Sequence, residues 1–163
     1  MFSKLRYILL DAARMSTAMD NAMELNARYE SLYEGESRKY LATVAPYLFS
    51  FEPNTEFSSW YLENGWGDSW GVLFSATVSF EDCLRHLQKF VLAKTPDGRE
   101  LYFRFYDPRV LKIFLPTCDK KQITDFFGPI DYFIMEGDTR EKAIRVWHEY
   151  GKLKQEELSS IDE

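Results

Sequence analysis

The sequence is poor in the residues and patterns that most often carry chemistry. It has two cysteines, Cys83 and Cys118, and two histidines, His86 and His148. With no CxxC pair, neither a disulfide framework nor a zinc site is supported. GxGxxG, P-loop, HExxH and GxSxG patterns are all missing, and with them the phosphate cradles, zinc helices and nucleophile elbows that they build. Ser69 lies between glycines in GlyTrpGlyAspSerTrpGly, but without elbow spacing. Long apolar runs are lacking too: the opening LeuArgTyrIleLeuLeu is cut off by Asp11 and Arg14, well short of a membrane span or a signal h-region. Positive charge is in deficit, with a net charge of -6 and a pI near 5.1, which argues against nucleic acid as a partner because phosphate-binding surfaces need clustered Lys and Arg. Together these absences predict a soluble, cytoplasmic chain without metal or cofactor.

What the chain has is aromatic residues. Phe, Tyr and Trp make up 17% of it, within 45% hydrophobic residues overall. That is enough apolar surface to offset ordering entropy, and a surplus of aromatics suits a partner surface as well as a core. Hydrophobic periodicity predicts strands at residues 5–10, 40–51 (interrupted by Pro46), 71–78 and 130–136, and a pair on either side of Pro96-Asp97-Gly98. It predicts helices at about 15–33 (closed by Gly35), 55–65, 80–91, 108–115 and 119–127, and a terminal helix over AlaIleArgValTrpHisGluTyrGlyLysLeuLysGlnGluGluLeu. The order implies an α/β or α+β layered domain over residues 1–136, with a mixed sheet of about five or six strands flanked by helices, and a C-terminal helical appendage over 137–163.

The densest cluster of charge amid apolar residues is TyrPheArgPheTyrAspProArgValLeu, residues 102–111. Strand alternation puts Tyr102 and Arg104 on one face and Phe103 and Phe105 on the other. Asp107 before Pro108 has the form of an N-cap followed by an N1 proline. A functional reading makes Asp107 a base or ligand and Arg104 and Arg109 anion clamps. A structural reading, with the acid as cap and ion-pair partner, explains every residue without a ligand. Asp11 and Arg14, at the end of the first strand, repeat the arrangement. Trp60, Trp66 and Trp70 could line a groove, but their glycines equally suit a packed corner. His86 and His148 read as surface residues. Trp147 and Tyr150 on the terminal helix are interface anchors in the sharper reading and sheet packing in the bland one.

Several segments in order, TyrIleLeuLeuAspAlaAlaArg, AlaProTyrLeu, SerTrpGly, LeuArgHisLeu, ProAspGlyArg, PheArgPheTyrAspProArgValLeu and PhePheGlyPro, resemble the bacterial type VI secretion effector-adaptor domain over residues 5–135. The resemblance implies a cytoplasmic adaptor or chaperone rather than an enzyme. Such an adaptor binds a toxic effector and helps load it onto the VgrG/PAAR spike. It also marks Asp11, Arg14, Trp70, Arg104, Asp107 and Arg109 as motif positions, to which Trp147 on the terminal helix is added as a candidate partner-binding position. The larger helical lobe of that family is nearly absent here. Alternatives from other classes are a small hydrolase or ligand-binding enzyme with Asp11, Arg104, Asp107 and Arg109 at one sheet edge, and an immunity protein that neutralises a toxin.

Overall fold

The computed structural model describes residues 4–159. A seven-stranded sheet forms its centre, in the order β2-β3-β1-β4-β7-β8-β9. The strands are β1 (Tyr7–Asp11), β2 (Tyr29–Ser31), β3 (Pro46–Ser50), β4 (Gly71–Ala76), β7 (Ile130–Glu136), β8 (Ala143–Glu149) and β9 (Lys152–Leu158). A separate hairpin pairs β5 (Leu92–Lys94) with β6 (Glu100–Tyr102) across the expected Pro96-Asp97-Gly98 turn. The helices are α1 (Ala12–Met15), α2 (Ala18–Leu25), α3 (Gly35–Tyr40), α4 (Glu56–Asn64), α5 (Phe80–Gln88), α6 (Pro108–Phe114) and α7 (Lys120–Phe127). The layered α/β class therefore holds, but the sheet has more strands than expected and every pair in it is antiparallel.

Helices cover both faces. Registers Ile8↔Phe49, Ile8↔Leu73 and Leu73↔Ile134 put Phe49 and Ile134 on one face, so Phe133 lies on the other. On the first face, Phe57 of α4 stacks on Phe49 with ring centroids 5.4 Å apart. On the second, Phe126 and Phe127 of α7 contact Phe133 at 5.8 and 5.4 Å. The helix starts follow the sequence chemistry. Thr55 and Asp119 form capping boxes with Ser58 and Gln122, and Ser79 accepts from the Asp82 amide.

Three expectations are corrected. The long helix over 15–33 is broken twice. Ser16 takes a φ of 52°, and Asn26 is extended, its side chain donating to the Ser50 carbonyl at 2.7 Å and accepting from the Arg28 amide. Residues 29–31 can then pair with β3, and Gly35 opens α3 instead of closing a helix. The expected strand over 99–106 stops at Tyr102, leaving Arg104 in a loop. The largest correction is at the C-terminus, where the predicted helix is the β8–β9 hairpin, packed as two further strands against β7. Ile144, Trp147 and Tyr150 do fall at helical spacing, but Val146 is buried and pairs with Phe133 of β7. Tyr150 and Gly151 both have positive φ, 52° and 77°, the conformation that a two-residue type I′ turn requires. A Cβ at Gly151 would also lie 2.8 Å from the Lys120 carbonyl oxygen, so turn shape and packing against α7 both favour glycine there. The 136/137 boundary therefore falls between two strands of one sheet.

Candidate functional site

β1 and β7 both run antiparallel to β4, so their last residues, Asp11 and Glu136, lie at the same edge of the sheet. Asp11 is fully buried. Its Oδ1 accepts from the Ala13 amide at 3.0 Å, capping α1, and its Oδ2 accepts from Arg104. Its own amide donates to the Trp70 carbonyl at 2.8 Å. Arg104 thus ties the loop after β6 to the end of β1, across 93 residues of chain.

The neighbouring pair repeats the pattern. Asp107 accepts from the Arg109 amide at 2.9 Å as the N-cap of α6, and Arg109 grips the same carboxylate through Nε at 3.0 Å and Nη2 at 2.7 Å. Burial raises the Asp107 pKa, but hydrogen bonds from the Arg109 side chain and amide outweigh it and hold the carboxyl below its ordinary value of 3.8. The Asp107 side chain is 3% exposed, whereas those of Arg104 and Arg109 are 44% and 55% exposed. Both acids are therefore committed to caps and guanidinium partners, and the outer N–H groups of both arginines face solvent.

Arg14 donates to the Asp68 carbonyl at 2.9 Å, fastening α1 to the GlyTrpGlyAspSerTrpGly loop. Trp70 packs on Trp60 with centroids 5.7 Å apart, and Trp66 is buried with its indole N–H donating to the Arg140 carbonyl at 2.9 Å. The tryptophans thus form a packed corner. Asp11, Arg14, Trp70, Arg104, Asp107 and Arg109 all belong to this edge of the sheet. Trp147 does not: it lies on β8, with the Arg145 guanidinium held between its ring and that of Tyr132.

Glu136 was not singled out from the sequence, yet it is 5% exposed at the same edge. Both of its carboxylate oxygens accept from the Ser69 amide at 3.0 Å, and the nearby Gly67 backbone also favours the ionised form. Gly67 and Ser69 have φ of 96° and 57°, a local shape that points successive amides at an anion. The signal in the sequence was an acid ending an apolar strand, together with a glycine-rich loop. Burial raises the Glu136 pKa above 4.5 against these bonds. A carboxyl whose pKa is higher in the folded state binds protons more tightly there, so stability falls as pH rises from about 4.5 through the folded value. Urea melts at several pH values are expected to show this slope, and Glu136→Gln is expected to flatten it.

His86 is another correction. It is 6% exposed, with Nε2 2.7 Å from the Phe126 carbonyl and its ring against Phe90. His148 is half-buried against Phe127, its Nδ1 accepting from the Gly151 amide at 3.0 Å. Among the described residues, no group of three His, Cys, Asp or Glu side chains is placed to hold a metal ion.

Beside the Asp11–Arg104 joint, the β5–β6 hairpin stands off the main sheet with all six of its strand residues exposed. Tyr102 anchors it, packing on Tyr33 with ring centroids 4.7 Å apart and sharing a hydrogen bond with Ser37 of α3 at 2.8 Å. Leu92 (43%), Leu101 (52%) and Tyr102 (43%) are exposed there, as is Tyr40 (71%), one turn beyond Ser37 on α3.

A family model described as a domain of unknown function, DUF4123, matches residues 6–125. The chain belongs to the DUF4123 family. The matched DUF4123 region holds Asp11, Arg14, Trp70, Arg104, Asp107 and Arg109, while Glu136 and Trp147 lie beyond it. It runs from the start of β1 into α7, so strands β7, β8 and β9, which extend the DUF4123 sheet, fall outside the match. No curated protein and no solved structure matches the chain. Among the described residues, no helix is long and apolar enough to cross a membrane.

Proposed function

We propose that this DUF4123 chain is a type VI secretion adaptor that binds a toxic effector in the cytoplasm and helps load it onto the VgrG/PAAR spike. The observation that carries the reading is how the motif acids are used. Asp11 and Asp107 each cap a helix and hold an arginine, so the most recognisable segment of the chain is a joint, and a joint suits a binding scaffold. The resemblance of the ordered motifs to effector adaptors supplies the partner class. The apolar surface beside that joint, Leu92, Leu101 and Tyr102 on a projecting hairpin, supplies a place for a client, since exposed aromatic and aliphatic side chains next to arginines are typical anchors of protein interfaces.

The test is co-purification with the effector and spike protein encoded beside it. A tagged chain is expected to retain the effector. Leu101→Arg, at an exposed position, is expected to lose the effector with its melting temperature unchanged. If the tagged chain retains neither protein, and the effector is still loaded without it, the adaptor reading fails.

A further inference from the structure

The two ends of the main sheet differ. β2, at one end, has three residues, whereas β9, at the other, has seven and no strand on its outer side among the described residues. A long open edge presents a row of unpaired amides and carbonyls, and proteins usually blunt such an edge with charged side chains, proline or a bulge. β9, LysLeuLysGlnGluGluLeu, has neither proline nor bulge. Its charge is divided: Lys152 and Lys154 in the first half, Glu156 and Glu157 in the second. A strand protected by one sign of charge repels its own copy, but a strand divided in this way attracts a copy laid antiparallel.

Backbone geometry selects one register. A two-residue turn closes on a hydrogen-bonded pair, here Glu149↔Lys152, and the ladder continues through Trp147↔Lys154 and Arg145↔Glu156. Residues 152, 154, 156 and 158 therefore direct their backbone groups toward β8, and Leu153, Gln155 and Glu157 direct theirs outward. A two-fold axis at Gln155 pairs Gln155 with Gln155 of the second copy and Leu153 with Glu157. All seven residues then overlap and every outward amide and carbonyl is used. The same register sets Lys154 opposite Glu156 twice, at the positions between hydrogen-bonded pairs, where side chains approach most closely. Arg145, already bonded to Glu156 at 3.1 Å, extends the alternation to Arg145–Glu156–Lys154 across the interface. Moving the axis by one residue shortens the overlap and puts Lys154 opposite Lys154, or Glu156 opposite Glu156.

We infer that β9 is a self-association edge, on which a second copy of this chain pairs antiparallel about Gln155 to make one continuous sheet across the dimer. The inference is independent of the adaptor reading. Sedimentation or light scattering over a dilution series is expected to show a species of twice 19.2 kDa that dissociates on dilution and with added salt. Gln155→Pro removes an outward amide at an edge position where proline is tolerated. It is expected to give monomer with unchanged circular dichroism and melting temperature.

Lys154→Glu and Glu156→Lys each place like charges opposite one another in both contacts, and each is expected to weaken self-association by about tenfold or more. Mixed together, these two variants are expected to form a heterodimer, because every Glu then faces a Lys. This result needs no proline variant to fold. A wild-type chain that stays monomeric throughout the series, a dimer that survives Gln155→Pro, or a mixture that associates no better than its components would each overturn the proposal.

Discussion

Arg104→Ala is expected to cost about 3 kcal/mol of folding stability, because it leaves the Asp11 carboxylate buried without its countercharge. Asp11 is fully buried, and apart from Arg104 its carboxylate is held by the Ala13 amide. The reverse change should cost less. Asp11→Asn keeps an N-cap of equal quality and frees a guanidinium that is already 44% exposed and can turn to water, so about 1 kcal/mol is expected. Urea denaturation of both variants at neutral pH checks the order, which follows from which partner is buried. An enzyme built on these residues predicts the opposite separation, with activity lost and melting temperature kept.

Phe126→Ala is expected to cost about 3–5 kcal/mol, the range for emptying an aromatic position in a core that cannot collapse. The Phe126 ring touches those of Phe90, Phe105, Phe114, Phe127 and Phe133, with centroids 5.2 to 6.2 Å apart. These come from α6, α7, β7, the segment after α5 and the loop after β6, so no single element can move in to fill the space. Phe105 makes the link to the candidate site: its burial against Phe126 fixes the loop from which Arg104 reaches Asp11. The variant is therefore expected to lose near-ultraviolet circular dichroism along with stability. Phe126→Leu, which keeps most of the volume, is expected to retain both in large part.

The motif segment was legible because its information is local. Asp107 before Pro108 can cap only the helix that follows, and Ser79, Thr55 and Asp119 start theirs by the same rule. The aromatic side of the segment was legible only in part: Phe105 is buried, but the strand and its alternation end at Tyr102, and Tyr106 is buried as well. The partner of Arg104 was not, because Asp11 lies 93 residues away and 26 acidic residues offered no means of choosing among them. Glu136 was missed for a similar reason. Its role depends on the backbone of the Gly67–Ser69 loop, above all the Ser69 amide, and backbone groups carry no side-chain signature.

The C-terminal error has its own physical source. In AlaIleArgValTrpHisGluTyr, Ile144 and Trp147 lie three residues apart, which suits a helix, and Ile144, Val146 and His148 lie two apart, which suits a strand. Nothing local decides between them. The decision came from β7, which offers an open edge for Val146 to pair against Phe133, and from the Tyr150-Gly151 turn seated on Lys120 and Thr124.

By itself the sequence determined the class of fold, the caps, the hairpin turn and the family, since each depends on residues close in the chain or on an ordered set of motifs. Tertiary structure alone decided which carboxylate meets which arginine, how many strands the sheet holds and which edge is left open. Those outcomes rest on contacts between segments far apart in sequence, where burial and strand pairing override local preference.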